Sequence, residues 1–224
     1  MIDDKTIFFT NLKHLDIQEN TSDTECELLM ELANRVATPN CIFAEIGSWK
    51  GKTAASLAFV ASQYNGVVFC IDHFLGNTGT KRDEVAQRID IFSIFRTNMK
   101  RLNYWQTIVR PLLSDSKTLH SIIKDGCLDI LFIDGDHWYN NVYEDIKAWL
   151  PKVKKGGIIC GHDCQEYYRD VKEEADEQYL ITDCAMSKRL NKQIHFGVVK
   201  AVYDHFGEHY SIIKPTSLWY HELV

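Results

Sequence analysis

The sequence predicts an α/β fold: a doubly wound, mostly parallel seven-stranded sheet with an N-terminal helix and a lid-like insert. Three observations predict it. Short apolar runs alternate along the chain with stretches of helical periodicity; the first run, 42–46, opens through a glycine-punctuated turn into a helix; and the second, 67–71, closes on Asp72. Unbroken apolar runs of strand length suit parallel strands buried on both faces, and such sheets take their ligands at the carboxyl ends of the strands.

The elements follow in order. Ser22 and Glu25 stand in a capping-box pattern, and Leu28, Leu29, Leu32, Ala33 and Val36 then place one apolar stripe on a helix. Beyond strand 42–46, Ala54, Leu57, Ala58 and Ala61 recur at helical spacing, so the strand hands over directly to a helix N-terminus. After Asp72 comes a polar loop, 73–83, with Gly76, Asn77 and Gly79, and a helix through Phe92, Phe95 and Met99. Residues 107–111 read as a third strand and 128–134 as the clearest strand of all; Val142, Ile146, Trp149 and Leu150 stripe the next helix, and 156–160 make a fifth strand. Residues 165–195 break this rhythm, being polar and acid-rich, and their place beyond a strand's carboxyl end suits a lid; the competing reading is a solvated charged helix over 167–179. Val198, Val199, Val202, Tyr203 and Phe206 restore a helix, and 211–214 and 217–224 read as two closing strands joined across Pro215.

With 224 residues, 45% hydrophobic and 25% charged, the chain fits a single domain over 1–224, with 1–40 as an N-terminal cap and 165–195 as the insert. A formal charge of −6, with Lys and Arg scattered among acids, argues against a nucleic-acid partner. No apolar stretch approaches the roughly 18–20 residues that span a bilayer, and the N-terminus lacks the pattern of a secretory signal. Seven cysteines without framework spacing suggest a reducing, cytoplasmic setting, with Cys41, Cys70 and Cys160 as small core residues. Cys160, His162 and Cys164, with Cys184 and His195 further on, offer a weaker alternative, a structural zinc site. A homo-oligomer is compatible with all of this.

Three readings compete for the turn after the first strand. A phosphate-cradling loop is suggested by Gly51-Lys52-Thr53, but it needs four residues between its glycines, and only Ser48, Trp49 and Lys50 separate Gly47 from Gly51. A dinucleotide fingerprint wants glycine where Trp49 stands. The Glu-x-Gly-x-x-x-Gly turn of S-adenosylmethionine-dependent methyltransferases is met by Glu45, Gly47 and Gly51 without a gap. Asp72 lies where an acid meets a ribose in nucleotide-binding βαβ units, which favours a ribose-bearing cofactor.

The resemblance widens downstream. Phe132-Ile133-Asp134-Gly135-Asp136-His137-Trp138-Tyr139, Asp145, Trp149-Leu150-Pro151 and Gly156-Gly157-Ile158-Ile159-Cys160-Gly161-His162-Asp163 resemble the small Rossmann-like methyltransferases related to cation-dependent O-methyltransferases. Asp72-His73-Phe74-Leu75-Gly76, Phe95 with Asn98, and Leu113-Ser114-Asp115-Ser116 belong to the same pattern, which covers about 42–206. The resemblance implies that Glu45, Gly47, Ser48 and Gly51 hold the methionine end of S-adenosylmethionine. Asp72 would meet the ribose, Asp115 and Ser116 the adenine, and Lys52, Thr53, His73 and Asp134 would complete the cofactor set.

Asp134, His162 and Asp163 fall where cation-dependent relatives place ligands for Mg2+, but His162 stands where relatives carry an acid or amide, and imidazole suits Mn2+, iron or zinc better. His137 lies where the catechol-type relatives place a general base, and it is the expected base here, with Asp163 next. The implied reaction is methyl transfer to a hydroxyl of a small molecule such as a sugar, phenol or natural product. Two alternatives stay open: a nucleotide-dependent enzyme of the phosphate-loop kind, and a binding module that keeps the shape without turnover.

Overall fold

The computed structural model describes residues 4–17, 21–175 and 182–224. The chain forms two compact units, Met1–Asp115 and Ser116–Val224.

The first unit runs α1 (Asp4–Leu12), α2 (Asp23–Val36), β1 (Ile42–Ile46), α3 (Lys52–Gln63), β2 (Val67–Asp72), α4 (Lys81–Ala86), α5 (Ile91–Arg101) and β3 (Val109–Leu113). Its strands are parallel in the order β3-β2-β1, with Ile46 opposite Ile71 and Asp72 opposite Leu113. The capping box forms as expected: Glu25 N–H donates to Ser22 Oγ at 3.2 Å and Ser22 N–H donates to Glu25 Oε2 at 2.9 Å. Ala54, Ala55, Ala58 and Ala61 of α3 are fully buried, and their small side chains let that helix lie close against β1 and β2. From α5, Asn98 Nδ2 donates to the carbonyls of Asp16 at 2.9 Å and Lys50 at 3.0 Å, which fixes the glycine turn from behind. The loop expected over 73–83 ends instead in α4, which buries no side chain and so had no apolar periodicity to announce it.

The second unit runs α6 (Ser116–Leu119), β4 (Leu128–Ile133), α7 (Tyr139–Trp149), β5 (Val153–Gly161), α8 (Tyr168–Ala175), β6 (Ala185–Ser187), β7 (Lys192–Ile194), α9 (Phe196–Phe206), β8 (Ser211–Ile212) and β9 (Trp219–Glu222). β4 and β5 are parallel, β9 runs antiparallel to β5, and β8 antiparallel to β9. Every side chain of β4 is buried, as its continuous apolar run requires. The insert contains both α8 and a β6–β7 hairpin. The charged helix expected over 167–179 begins at Tyr168, and its stretch from 176 lies outside the described residues.

One glycine sets how the insert's far end meets the strand tips. A Cβ on Gly197, in the first turn of α9, would stand 2.3 Å from the His137 carbonyl oxygen and 2.7 Å from Tyr139 N. Only a residue without a side chain allows this approach, and it brings the His195 ring to a centroid distance of 4.4 Å from His137. Gly197→Ala must therefore displace backbone, and the expected loss is about 1–3 kcal/mol of unfolding free energy. Urea denaturation reads this directly; an unchanged midpoint would contradict the close contact.

Candidate active site

The turn between β1 and α3 is built from strained and left-handed backbone: Gly47 has φ 88°, Trp49 φ 44° and Gly51 φ 95°. Gly51 stands at the N-cap of α3 and has no side chain with which to cap that helix. A Cβ on Gly51 would meet Met99 Cε at 2.8 Å and Phe95 Cδ2 at 2.9 Å, so the position excludes any side chain on steric as well as conformational grounds. Asp72, at the end of β2, holds two segments at once: its Oδ2 accepts Trp49 N–H at 2.7 Å and its Oδ1 accepts Phe74 N–H at 2.6 Å. An ionised carboxylate has about four acceptor positions, so capacity remains for ribose hydroxyls.

Glu45 is fully buried on β1, opposite Cys70 in register, and Ser48 is buried beside it in sequence. Burial, reinforced by the Glu45 charge, pushes the Cys70 thiol well up. His73 is more exposed and its Nδ1 accepts Leu75 N–H at 3.0 Å. Asp115 is exposed where the unit ends. Thr53 is buried in the first turn of α3.

Lys52 requires a correction. Its buried ammonium donates to the Thr21 carbonyl at 2.7 Å and pairs with Asp23 at 2.8 Å, so it ties α2 to α3. Its side chain is turned to the N-terminus of α2, and only its backbone N–H belongs to the turn. This also removes the phosphate-loop reading, which needs that ammonium on a phosphate.

In the second unit, Ser116 Oγ donates to Asp145 at 2.5 Å, so the hydroxyl expected to face an adenine is engaged with α7. The remaining candidates gather around Asp163. This residue follows β5 with φ 63°, and its N–H donates to Ser217 Oγ at 3.2 Å. Three imidazoles reach its carboxylate: His137 Nε2 at 2.9 Å, His162 Nδ1 at 3.2 Å and His195 Nδ1 at 3.3 Å. Asp134, just after β4, lies 4.0 Å from His162 Nδ1, and Asp183 Oδ1 lies 2.8 Å from His137 Nδ1. Asp136 aims the whole arrangement, since its Oδ1 accepts the N–H groups of His137 at 2.6 Å and Trp138 at 3.0 Å while its Oδ2 accepts Asn141 Nδ2 at 2.7 Å.

The electrostatics assign different states to these rings. Burial alone would discharge His137, but the hydrogen bonds and charges of Asp163 and Asp183 outweigh it and raise its pKa to about 10. Burial likewise opposes ionisation of Asp163, yet bonds from His137 and His162 hold its pKa well below the usual carboxylate range. Asp183 is lowered chiefly by His137, and His195 is lowered chiefly by burial. His137 is thus an imidazolium at neutral pH. The expectation of His137 as the general base is corrected: a doubly paired, protonated ring has no lone pair for a substrate proton.

Asp134, His162 and Asp163 do come together, with donor atoms all within 4.8 Å of one another. Two further groups satisfy the same condition, His137 with Asp163 and His195, and Asp183 with Cys184 and His195. The Cys160 and Cys164 thiols point elsewhere, to the carbonyls of Leu131 and Glu166, which leaves the zinc alternative without its cysteine pair. Asp183 and Gln165 carried no signal in the sequence, and Asp136 could have been found as an acid just ahead of a helix. The sequence names His195 only for the zinc alternative; its place immediately before the apolar stripe of α9 could have marked it for this cluster.

No helix among the described residues is long and apolar enough to cross a membrane. A methyltransferase-domain family model matches residues 44–164. An uncharacterised protein of Acanthamoeba polyphaga mimivirus is 28% identical over 177 residues, covering 74% of this chain and 72% of its own. Among solved structures, a cofactor-bound protein from MTB matches with a TM-score of 0.63 and 15% identity, over 98% of this chain and 89% of its own. An O-methyltransferase from Bacillus cereus in complex with SAH matches with a TM-score of 0.58 and 18% identity, over 98% and 91%. These likenesses give the fold class expected from the sequence, a Rossmann-like α/β fold with a mostly parallel seven-stranded sheet. With more than half of its length inside the family model, the chain belongs to the methyltransferase-domain family.

Proposed function

We propose that the chain methylates a hydroxyl oxygen of a small molecule, a sugar, phenolic or natural-product acceptor, with divalent-cation assistance. The observation that carries this reading is the convergence of three imidazoles and an ionised carboxylate on one point just beyond β5. Hydroxyl methylation needs a group that orients the O–H and receives its proton, and positive charge beside the oxygen as it loses that proton.

The cofactor residues of the first unit fit S-adenosylmethionine. Gly47 and Gly51 keep side chains out of the turn, the uncapped start of α3 offers N–H donors for a carboxylate, and Asp72 retains acceptor capacity for a ribose. The roles of Glu45, Ser48, His73, Thr53, Asp115 and Ser116 in holding it are part of this proposal. The bound sulfonium supplies an already activated methyl group. What remains for the protein is positioning and deprotonation, worth several kcal/mol and about 10²–10⁴-fold respectively.

Asp163 is the residue assigned to orient the hydroxyl and take its proton; a carboxylate held this low is a weak base, so the transfer depends on the charged His137 ring beside the oxygen lowering the hydroxyl's own pKa. The acceptor oxygen's lone pair would form the new bond to carbon, and the cofactor, when bound, would supply that methyl and leave as a thioether. His137, carrying its proton, stabilises the developing negative charge. Asp134, His162 and Asp163 would hold a cation such as Mg2+ or Mn2+, since their donor atoms stand together and two of the three are carboxylates. A cation there lowers the pKa of a coordinated hydroxyl.

Asp163→Asn is expected to lower kcat by about 10²–10⁴-fold while S-adenosylhomocysteine affinity stays within about twofold. Transfer of a labelled methyl group to a panel of phenolic and sugar hydroxyls reads the first, and calorimetry the second; wild-type turnover in the variant would reject the role. Lys52→Met should leave cofactor affinity unchanged but cost about 1–3 kcal/mol of stability, since Thr21 and Asp23 lose their partner. Loss of affinity with stability intact would return the lysine to the cofactor site.

A further inference from the structure

We propose that the second unit holds a first-row transition-metal ion through His137, Asp163 and His195, with Asp183 orienting His137 from behind. The inference deepens the cation-assisted reading by naming the class of ion, and it adds donors from the insert that the Asp134, His162 and Asp163 set lacks.

Four observations carry it. The donor atoms of His137, Asp163 and His195 lie within 4.8 Å of one another, so one ion can reach all three. The two rings stand at a centroid separation of 4.4 Å on the two sides of the same carboxylate, with His137 Nε2 at 2.9 Å from Oδ2 and His195 Nδ1 at 3.3 Å from Oδ1. Asp183 accepts from His137 Nδ1 at 2.8 Å, which directs Nε2 towards Asp163. A ring nitrogen held by a carboxylate while the other faces the ion is the usual arrangement around metal-bound histidine. Finally, Gln165 anchors the backbone of His195, its Oε1 accepting the His195 N–H at 3.0 Å; its Nε2, 2.7 Å from Nδ1, must give up that nitrogen when an ion binds.

Donor chemistry then selects the ion. Two imidazoles and one carboxylate, with a third imidazole at His162 on the same Asp163, make a nitrogen-rich set. Magnesium demands oxygen donors and gives up its water reluctantly, whereas zinc, cobalt, iron and manganese accept imidazole readily. The ion takes the position of the proton between His137 and Asp163, so positive charge beside the acceptor oxygen is kept.

The test uses the metal-free full-length chain without cofactor or acceptor, titrated with Zn(II), Co(II), Mn(II) and Mg(II) and read by calorimetry and by the visible absorption of bound Co(II). Zn(II) and Co(II) are expected to bind about 100-fold or more tighter than Mg(II). His195→Ala should weaken Co(II) about 10-fold or more and alter its spectrum, and Asp183→Asn should weaken it about 10–100-fold. His195→Gln, checked for unchanged circular dichroism, guards against a folding defect in the alanine variant. Asp134→Asn should weaken Co(II) less than either His195 variant does. Equal affinity for Mg(II) and Zn(II), indifference to both His195 variants, loss on Asp134→Asn alone, or no binding of any ion at millimolar concentration would each overturn the proposal. Failure of the methyltransferase reading would show separately, as absent S-adenosylhomocysteine binding with metal affinity intact.

Discussion

The chemistry of this protein depends on one carboxylate that cannot be left alone. Asp163 is half-buried, ionised and set in left-handed backbone at the end of β5, an arrangement that persists only where the surroundings over-determine it. They do so from four directions: His137 from the start of α7, His162 from the same strand end, His195 from the start of α9 and Ser217 from the approach to β9. Removing any one partner leaves a half-buried charge less compensated, which is why the elements of the second unit are arranged around this point. Gly197 and Asp136 matter because they allow and aim those partners.

The first unit solves a different problem by different means. A cofactor with a carboxylate at one end and a ribose further along needs backbone donors and a placed acceptor more than it needs charge. Gly47 and Gly51 supply the backbone, Asp72 locks the turn by accepting from Trp49 and Phe74, and Asn98 closes it from α5. Lys52, which by position looks like a ligand residue, is instead structural, joining α3 to the N-terminus of α2. Preorganised dipoles of this kind cost little reorganisation when a ligand binds.

Much of this was legible because local patterns coincide with the tertiary requirement. The apolar runs at 42–46 and 128–133 are strands because they are buried on both faces, and the capping box at Ser22 and Glu25 forms as written. The family motif marked Asp134, His137, His162 and Asp163 as neighbours, and they are. Three things were not legible. The helix α4 has no buried face, so no periodicity declares it. Asp183 and His195 reach the cluster through the hairpin of the insert, a long-range folding of polar sequence that composition cannot encode. The charge state of His137 depends on having two carboxylates rather than one, and the second, Asp183, is 46 residues away along the chain.

The central claim is that the Asp163 cluster keeps His137 charged at neutral pH while burial keeps His195 neutral, so that the two rings differ in role. Titration of the metal-free chain followed by the imidazole ¹⁵N shifts measures this directly. The account predicts that His137 shows the shifts of an imidazolium from pH 6 to pH 8 and releases its proton only near 10, with His195 already neutral at pH 7. A neutral His137 ring at pH 7, titrating near the ordinary value of about 6.5, would contradict it and return that residue to the role of general base.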